Sequence, residues 1–488
     1  MSLKIPFPNQ IFTPSGIFFF FLFFLPALLF SQQQPLFDTD RLTTGFHRNR
    51  REILRNMLPP HSLAVFFSAP VRTRSNDIDF PYHQQPDFYY MTGLEEPDAI
   101  LLIFKDKIEY NYQGTGGIET FLSDELLFVR QRDSVRELWE GKRLGREGAK
   151  EKLGFSGVLY GSDFADFTVD FLSFDKIFFT PPPDDIADNP DDKGDLFSLI
   201  KHFRKKIAPA RHKTDSVMLK EYLASIREIK VKEELTMIQK AVDITCSAIN
   251  ETMRAVDTSM YEYQVQALVE FLFRYHGSEY PGFRSITASG ENTSTLHYTH
   301  NRRKLKDGDL LIIDVGAEYH GYTADVTRTI PVNGTFSAEQ KIIYNIVLEA
   351  QQMAINTCKP GIKFWEPGDI ATQIVKKRLK ENGIIASESE YRKYFMHGVS
   401  HYVGLDVHDV GLYGALKPGT VFTIEPGIYI KDDSPCNSKW WTIGVRIEDD
   451  ILVTENGCVV LSTSPATVEE IEKMMHEESL LPQLFQRK

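Results

Sequence analysis

The chain has 488 residues, of which 42% are hydrophobic and 25% charged, so it can build at least two domains with substantial cores and has the balance of a globular protein. A formal net charge of −12 argues against non-specific binding to nucleic acid, and no nucleic-acid partner is expected. Cys246, Cys358, Cys436 and Cys458 have neither zinc-site nor disulfide-framework spacing, so free or buried thiols are expected.

The first feature along the chain is an almost purely apolar run at 17–30, preceded by Lys4 and followed by Ser31 and three glutamines. It contains Pro26 and is shorter than the ~20 residues a spanning helix usually needs. Residues 1–31 therefore read as a secretory signal peptide. Export to a periplasm or the medium is expected, with no stable membrane span after processing; an uncleaved anchor is the alternative.

Residues 40–214 read as an α/β domain. LAVFF at 63–67 and AILLIF at 99–104 have strand length, 134–148 has the texture of a surface helix, and the acidic, proline-rich PPPDDIADNPDDKG at 181–194 reads as an exposed loop. A charged helical linker is expected over 215–232. From 233 to 478 the helical period strengthens. Ile238, Val242, Thr245, Ile249 and Met253 share one helix face, and Val265, Leu268, Leu272 and Tyr275 share another, closed by Gly277. Further helices are expected over about 337–355, about 369–382 and 467–475. LLIIDVGAEY, YTADVTRTIPV, VFTIEPGIYI and GVRIEDDILVT read as strands, which makes this domain α+β, with helices covering one face of a mainly antiparallel sheet.

Four of those strand segments carry acids where apolar residues belong. Asp314 follows LLII, Asp325 precedes VTRTI, Glu425 lies in FTIEPG and Glu448 in VRIEDD. A carboxylate buried in a strand costs several kcal/mol unless it is paired or bound to metal. A hairpin turning at His320–Gly321 pairs Tyr319 with Tyr322 and Gly316 with Asp325, so Asp314 and Asp325 share a sheet face at a diagonal of ~7–8 Å. A salt bridge to Arg328 or Arg446 is the competing account of these two acids. MHGVSHYVGLDVHD adds His397, His401 and His408 within twelve residues. Four carboxylates with an imidazole suit Mn²⁺, Fe²⁺ or Co²⁺. Their negative charge exceeds that of one divalent ion and suits two ions about 3.5–4 Å apart.

DVG with VTRT, then MHGVSHYVGLDVHDVG, TIEPGIY and VRIEDDILVTENG, resembles in order and spacing the pita-bread metallopeptidases, a group that includes aminopeptidase P, prolidase, methionine aminopeptidase and creatinase-like proteins. SAPVRTRSNDIDFPYHQQPDFYYMTGLEEPDAILLIF at 68–104 is similar to the N-terminal domain of aminopeptidase P. The resemblance implies a pita-bread catalytic domain preceded by a smaller α/β domain of the aminopeptidase P/creatinase type. It implies a metal-dependent exopeptidase acting on peptides with proline at the second position. Two divalent ions are implied, Mn²⁺ first, with Fe²⁺, Co²⁺ or Zn²⁺ as alternatives. Asp325 and Glu448 would be shared between them, Asp314 would complete one shell, and His401 and Glu425 the other. A water or hydroxide between the ions would be the nucleophile, with Glu425 moving its proton to the leaving proline nitrogen. His297, His397 and His408 would bind substrate, with His408 stabilising the oxyanion and His397 holding the proline side. Arg446 would orient the carboxylates from behind. Asp77 matches a position that reads the substrate amine, with a solvated loop acid as an equal alternative, while His300 and His320 match none and read as surface or structural residues. By proximity alone, Tyr298, Tyr402 and Trp440 are candidates for the proline-ring pocket. A homodimer or homotetramer is also implied. Two alternatives remain: prolidase, with Arg284 or Arg303 taking a dipeptide's carboxylate, and a non-catalytic scaffold, which the complete ligand set disfavours.

Overall fold

Strand Ser62–Phe67 alternates its side chains between two cores. Leu63, Val65 and Phe67 join Ile100, Leu102, Phe104, Phe128 and Phe203 on one face, and Ala64 and Phe66 join Leu101, Ile103 and Leu127 on the other. That double burial explains why LAVFF and AILLIF are apolar without a polar side. The structure is a computed structural model, and it describes residues 40–114, 117–182 and 185–484. The expected signal segment at 1–31 lies outside the described residues.

The N-terminal domain is built on a six-stranded mixed sheet in the order Val158–Tyr160, Gly117–Val129, Ile100–Gly114, Ser62–Phe67, Lys176–Phe179, Thr214–Asp215. The two long central strands pair antiparallel, and the outer pairings of Val158–Tyr160, Lys176–Phe179 and Thr214–Asp215 are parallel. The helical texture at 134–148 resolves into two short helices, Glu137–Glu140 and Gly145–Leu153, because Gly141 ends the first. The expected linker helix is Val217–Arg227, followed by a short break before helix Lys232–Ala255.

The second domain packs helices Lys232–Ala255, Glu262–Tyr275, Ala338–Thr357 and Glu366–Glu381 against short antiparallel strands. Ser337 caps the third of these, accepting from the Gln340 N–H while Gln340 returns a bond to the Ser337 N–H. A smaller α/β domain followed by an α+β domain is the architecture expected from the sequence. The four cysteines are free thiols. Among the described residues no helix is long and apolar enough to cross a membrane.

The sheet of this domain is broken at the places where the acids sit. Strand Leu310–Val315 pairs with Val326–Pro331, with Asp314 opposite Thr327. Beyond it, Ala317–Tyr319 pairs with Tyr322–Thr323, Tyr319 opposite Tyr322. The connecting hairpin turns on His320 and Gly321, both at positive φ, as a two-residue primed turn requires. His320 tolerates that backbone because it is anchored: its N–H and its ring both bond Glu279, at 2.9 and 2.6 Å. It is thus structural. Val421–Ile424 pairs with Asp449–Thr454, and after Pro426 the chain continues as Gly427–Ile430, which pairs instead with Ile443–Arg446. Glu425 and Glu448 stand at this handover, where Pro426 has no N–H to give a ladder.

Candidate metal centre and substrate cavity

The breaks in the strands converge on a cavity of about 400 Å³ lined by Asp314, Asp325, His297, His397, His401, His408, Glu425, Arg446 and Glu448. The nine residues read from the sequence as metal ligands, substrate-binding histidines and supporting arginine therefore line one space. Gly316 lets the strands close around it: a Cβ there would lie 1.8 Å from the Ala324 carbonyl oxygen.

Asp325, His401 and Glu448 form the tightest group, each offering a ligand atom within 4.8 Å of the others. The His401 Nδ1–H donates to the Tyr402 carbonyl at 3.1 Å, which leaves the Nε2 lone pair facing the cavity. Around Nε2 stand Asp325 Oδ2 at 3.3 Å, Glu425 Oε1 at 3.7 Å and Glu448 Oε1 at 3.8 Å. Thr327 donates to Glu448 Oε2 at 2.6 Å, while Glu448 Oε1 and Asp325 Oδ1 are buried without a hydrogen-bond partner among the described residues. Burial, and then the neighbouring carboxylates, push Asp325 and Glu425 well above the usual carboxylate range and Glu448 up to about 7. Crowded, orphaned carboxylate oxygens around a correctly oriented imidazole fit divalent cations, which would reverse that repulsion. Asp314 stands outside the tightest group. Its Oδ2 accepts from Arg446 Nη2 at 2.5 Å, so the salt bridge weighed as a competing account does form.

A second network runs behind the ligands. Arg446 Nη1 donates to the Tyr429 hydroxyl at 2.9 Å, and that hydroxyl donates to His397 Nε2 at 2.9 Å. The His397 Nδ1–H donates to the Gly398 carbonyl at 2.6 Å. Both ring nitrogens are engaged in a neutral tautomer, in keeping with burial and nearby Arg446 pushing the ring down to about 4. His397 therefore presents carbon edges to the cavity. His408 is exposed at the cavity, packs edge-on against His401 with centroids 4.4 Å apart, and is held below the usual histidine range by partial burial and by His401.

Residues 236–455 match metallopeptidase family M24, and residues 46–178 match the aminopeptidase P N-terminal domain. The chain is 37% identical to the Xaa-Pro aminopeptidase of Escherichia coli (strain K12) over 443 residues, 88% of this chain and 97% of that one. The chain belongs to the aminopeptidase P group of family M24. Intermediate cleaving peptidase 55, mitochondrial, of Arabidopsis thaliana is 31% identical over 88% of this chain and 82% of its own length. The solved structure of aminopeptidase P from E. coli with the inhibitor Pro-Leu superposes with a TM-score of 0.78 at 34% identity, covering 89% of this chain and 98% of that one.

Within this aminopeptidase P fold, several residues nominated by proximity lie elsewhere. Tyr298 turns away to donate to Glu262, Tyr402 is buried against Phe364 and Tyr413, and Trp440 is buried; none lines the cavity. Asp77 sits in an exposed hairpin between Thr73–Ser75 and Ile78–Asp79, and Arg303 is tied to Asp309 and Glu291. His300 is exposed. The cavity is instead lined by Phe283, Ile286, Leu296 and Tyr429. Tyr429 had a readable signal: Glu425, Gly427 and Tyr429 alternate along an extended segment and so share a face. Phe283 had none, because it is placed by the fold of a loop.

Proposed function

We propose that the protein is a two-metal Xaa-Pro aminopeptidase. The observation that carries this reading is His401, whose Nε2 faces Asp325, Glu425 and Glu448 in a cavity that continues to apolar ring walls. Asp314, Asp325, His401, Glu425 and Glu448 would hold the ions, Mn²⁺ first. Bound there, they would supply a water acidified toward neutral pH as the nucleophile.

The chain's own groups do the rest. Glu425 Oε1 lies 3.7 Å from His401 Nε2, and its Oε2 lies 3.8 Å from His397 Nδ1. The carboxylate thus spans the ligand group and the proline side, and can take a proton at one oxygen and deliver it to the leaving nitrogen. His408, its pKa lowered, donates an N–H to the scissile carbonyl as charge develops there, and His297 lines the same side. Arg446 fixes Asp314 and, through Tyr429, His397. An X–Pro bond has no N–H, so a wall with no unsatisfied acceptor suits it. His397, engaged at both nitrogens, with Phe283 and Leu296, supplies such a wall.

The domain division 40–214, 215–232 and 233–478 goes with this reading, as does export. The run at 17–30 carries no charge, unlike an arginine-rich amphipathic organelle-targeting segment. Assembly as a dimer or tetramer is supported by Leu138 and Trp139, which are 85% and 88% exposed on the N-terminal domain. Prolidase keeps one observation in its favour: exposed Arg284 lines the cavity, where it can meet a dipeptide's carboxylate. The deciding experiment is hydrolysis of Arg-Pro-Pro and of Ala-Pro by Mn²⁺-loaded protein, with a chelated control. Arginine released from the tripeptide and lost on chelation is the expected result. Cleavage of the dipeptide alone would make the protein a prolidase, and cleavage of neither would favour a non-catalytic scaffold.

A further inference from the structure

The helix between the two domains, Val217–Arg227, ends on a buried guanidinium that reaches both of them. Arg227 Nη1 donates to Asp87 Oδ1 at 2.6 Å, in the first turn of helix Pro86–Thr92 of the N-terminal domain. Its Nη2 donates to Asp406 Oδ2 at 3.0 Å and to Asp409 Oδ1. Lys230 Nζ adds an ion pair to Asp409 Oδ2 at 3.1 Å. The side chains of Arg227 and Asp409 are only 3% and 1% exposed, so their bond is sheltered from water, while Asp406 is 46% exposed. Burying such charges costs much of what their attraction returns, and buried ionic clusters are weak sources of net stability. The best-attested use of such a cluster is to fix one register.

The segment that is fixed here carries His408. Asp406 and Asp409 bracket that residue, while the His408 ring reaches the catalytic cavity. A second cavity, of about 390 Å³, is lined by Asp406, Val407 and His408 together with His83 of the N-terminal domain and Glu318. There is thus room beside the segment for it to move if it were not held.

We infer that Arg227 is a positioning residue for His408, clamping the 406–409 segment to the N-terminal domain and so setting where His408 meets the scissile carbonyl. This rests on the reading that His408 stabilises the developing oxyanion. A guanidinium can serve three carboxylates from fixed directions, and an ammonium cannot reproduce that fork. A misplacement of about 1 Å at a catalytic donor can cost about 100-fold in rate.

The test uses full-length, Mn²⁺-loaded protein acting on Arg-Pro-Pro. Asp87→Asn and Arg227→Lys are each made in the wild-type and in the His408→Ala background, and kcat, KM, metal content and Tm are measured. In the wild-type background we expect kcat to fall about tenfold for Asp87→Asn and up to about 100-fold for Arg227→Lys, with KM within about twofold and metal content unchanged. In the His408→Ala background the same substitutions should change kcat by less than about twofold, because the group they position is gone. Equal fold-losses in both backgrounds would overturn the inference and leave Arg227 as structural support. Wild-type kcat in both single variants would also overturn it. His408→Ala turning over as fast as an active wild-type would show that the role given to His408 is wrong, and the inference falls with it. Asp87→Asn keeps the test open if Arg227→Lys fails to fold, since it leaves Asp406 and Asp409 paired.

Discussion

The Tyr429 hydroxyl accepts a bond from Arg446 and donates one to His397, so one oxygen ties the support of Asp314 to the wall of the proline pocket. Tyr429→Phe keeps the ring and removes that link. It leaves buried donors and acceptors unpaired at a cost of about 1–3 kcal/mol. We expect kcat/KM for Arg-Pro-Pro to fall about tenfold, with metal content unchanged. Wild-type kcat/KM would show that the hydroxyl has no part in holding the site. At this scale the sequence was most legible where chemistry is intrinsic to a residue type. Carboxylates in apolar strands and three histidines in twelve residues are costly unless used. Which ring faces which way was not legible: Tyr298 lies next to His297 yet donates to Glu262, because neighbouring residues on a loop need not share a face.

Elements are set by local periodicity, and their contacts then decide how they respond to solvent. His47 lies in helix Thr44–Met57, with its ring buried edge-on against Phe46 and Tyr89, and the Tyr90 carbonyl accepts from Nδ1 at 3.1 Å. Burial outweighs that bond and, with Arg51, pushes the imidazole down to about 4. The folded pKa therefore lies below the ordinary 6.5, so the unfolded chain takes up the proton first as pH falls. Stability is unaffected above about 6.5, and is lost between 6.5 and 4. The loss at pH 5 is about 2 kcal/mol. Denaturant melts at pH 7 and pH 5 should show His47→Asn losing less stability than wild-type over that interval. An equal loss would place the acid sensitivity elsewhere. The same locality explains why the Asp314–Asp325 hairpin was predicted in register. A two-residue turn and a period of two settle the pairing within a dozen residues. The handover at Pro426 was not predicted, since two short strands reading as one run can pair with different partners.

For the whole molecule, the cluster of Asp325, Glu425 and Glu448 is a point of repulsion that a bound cation would relieve, and ligand binding to the folded state alone raises stability. With free Mn²⁺ at 100 times its dissociation constant the gain is about 2.7 kcal/mol, so Tm should rise by several degrees and return on chelation. Asp325→Asn should abolish both the Tm shift and hydrolysis of Arg-Pro-Pro; a variant that keeps the shift would remove Asp325 from the ligand set. The sequence by itself determined the main helices and strand segments of the second domain, the residue types proposed as ligands and the family likeness, because periodicity, burial cost and motif spacing are written along the chain. The tertiary structure alone decided the apolar lining of the cavity, the bond from Arg446 to Asp314 and the clamp from Arg227 to Asp409. Those partners are separated by as much as 182 positions, and only the tertiary packing of the chain brings them within hydrogen-bond distance.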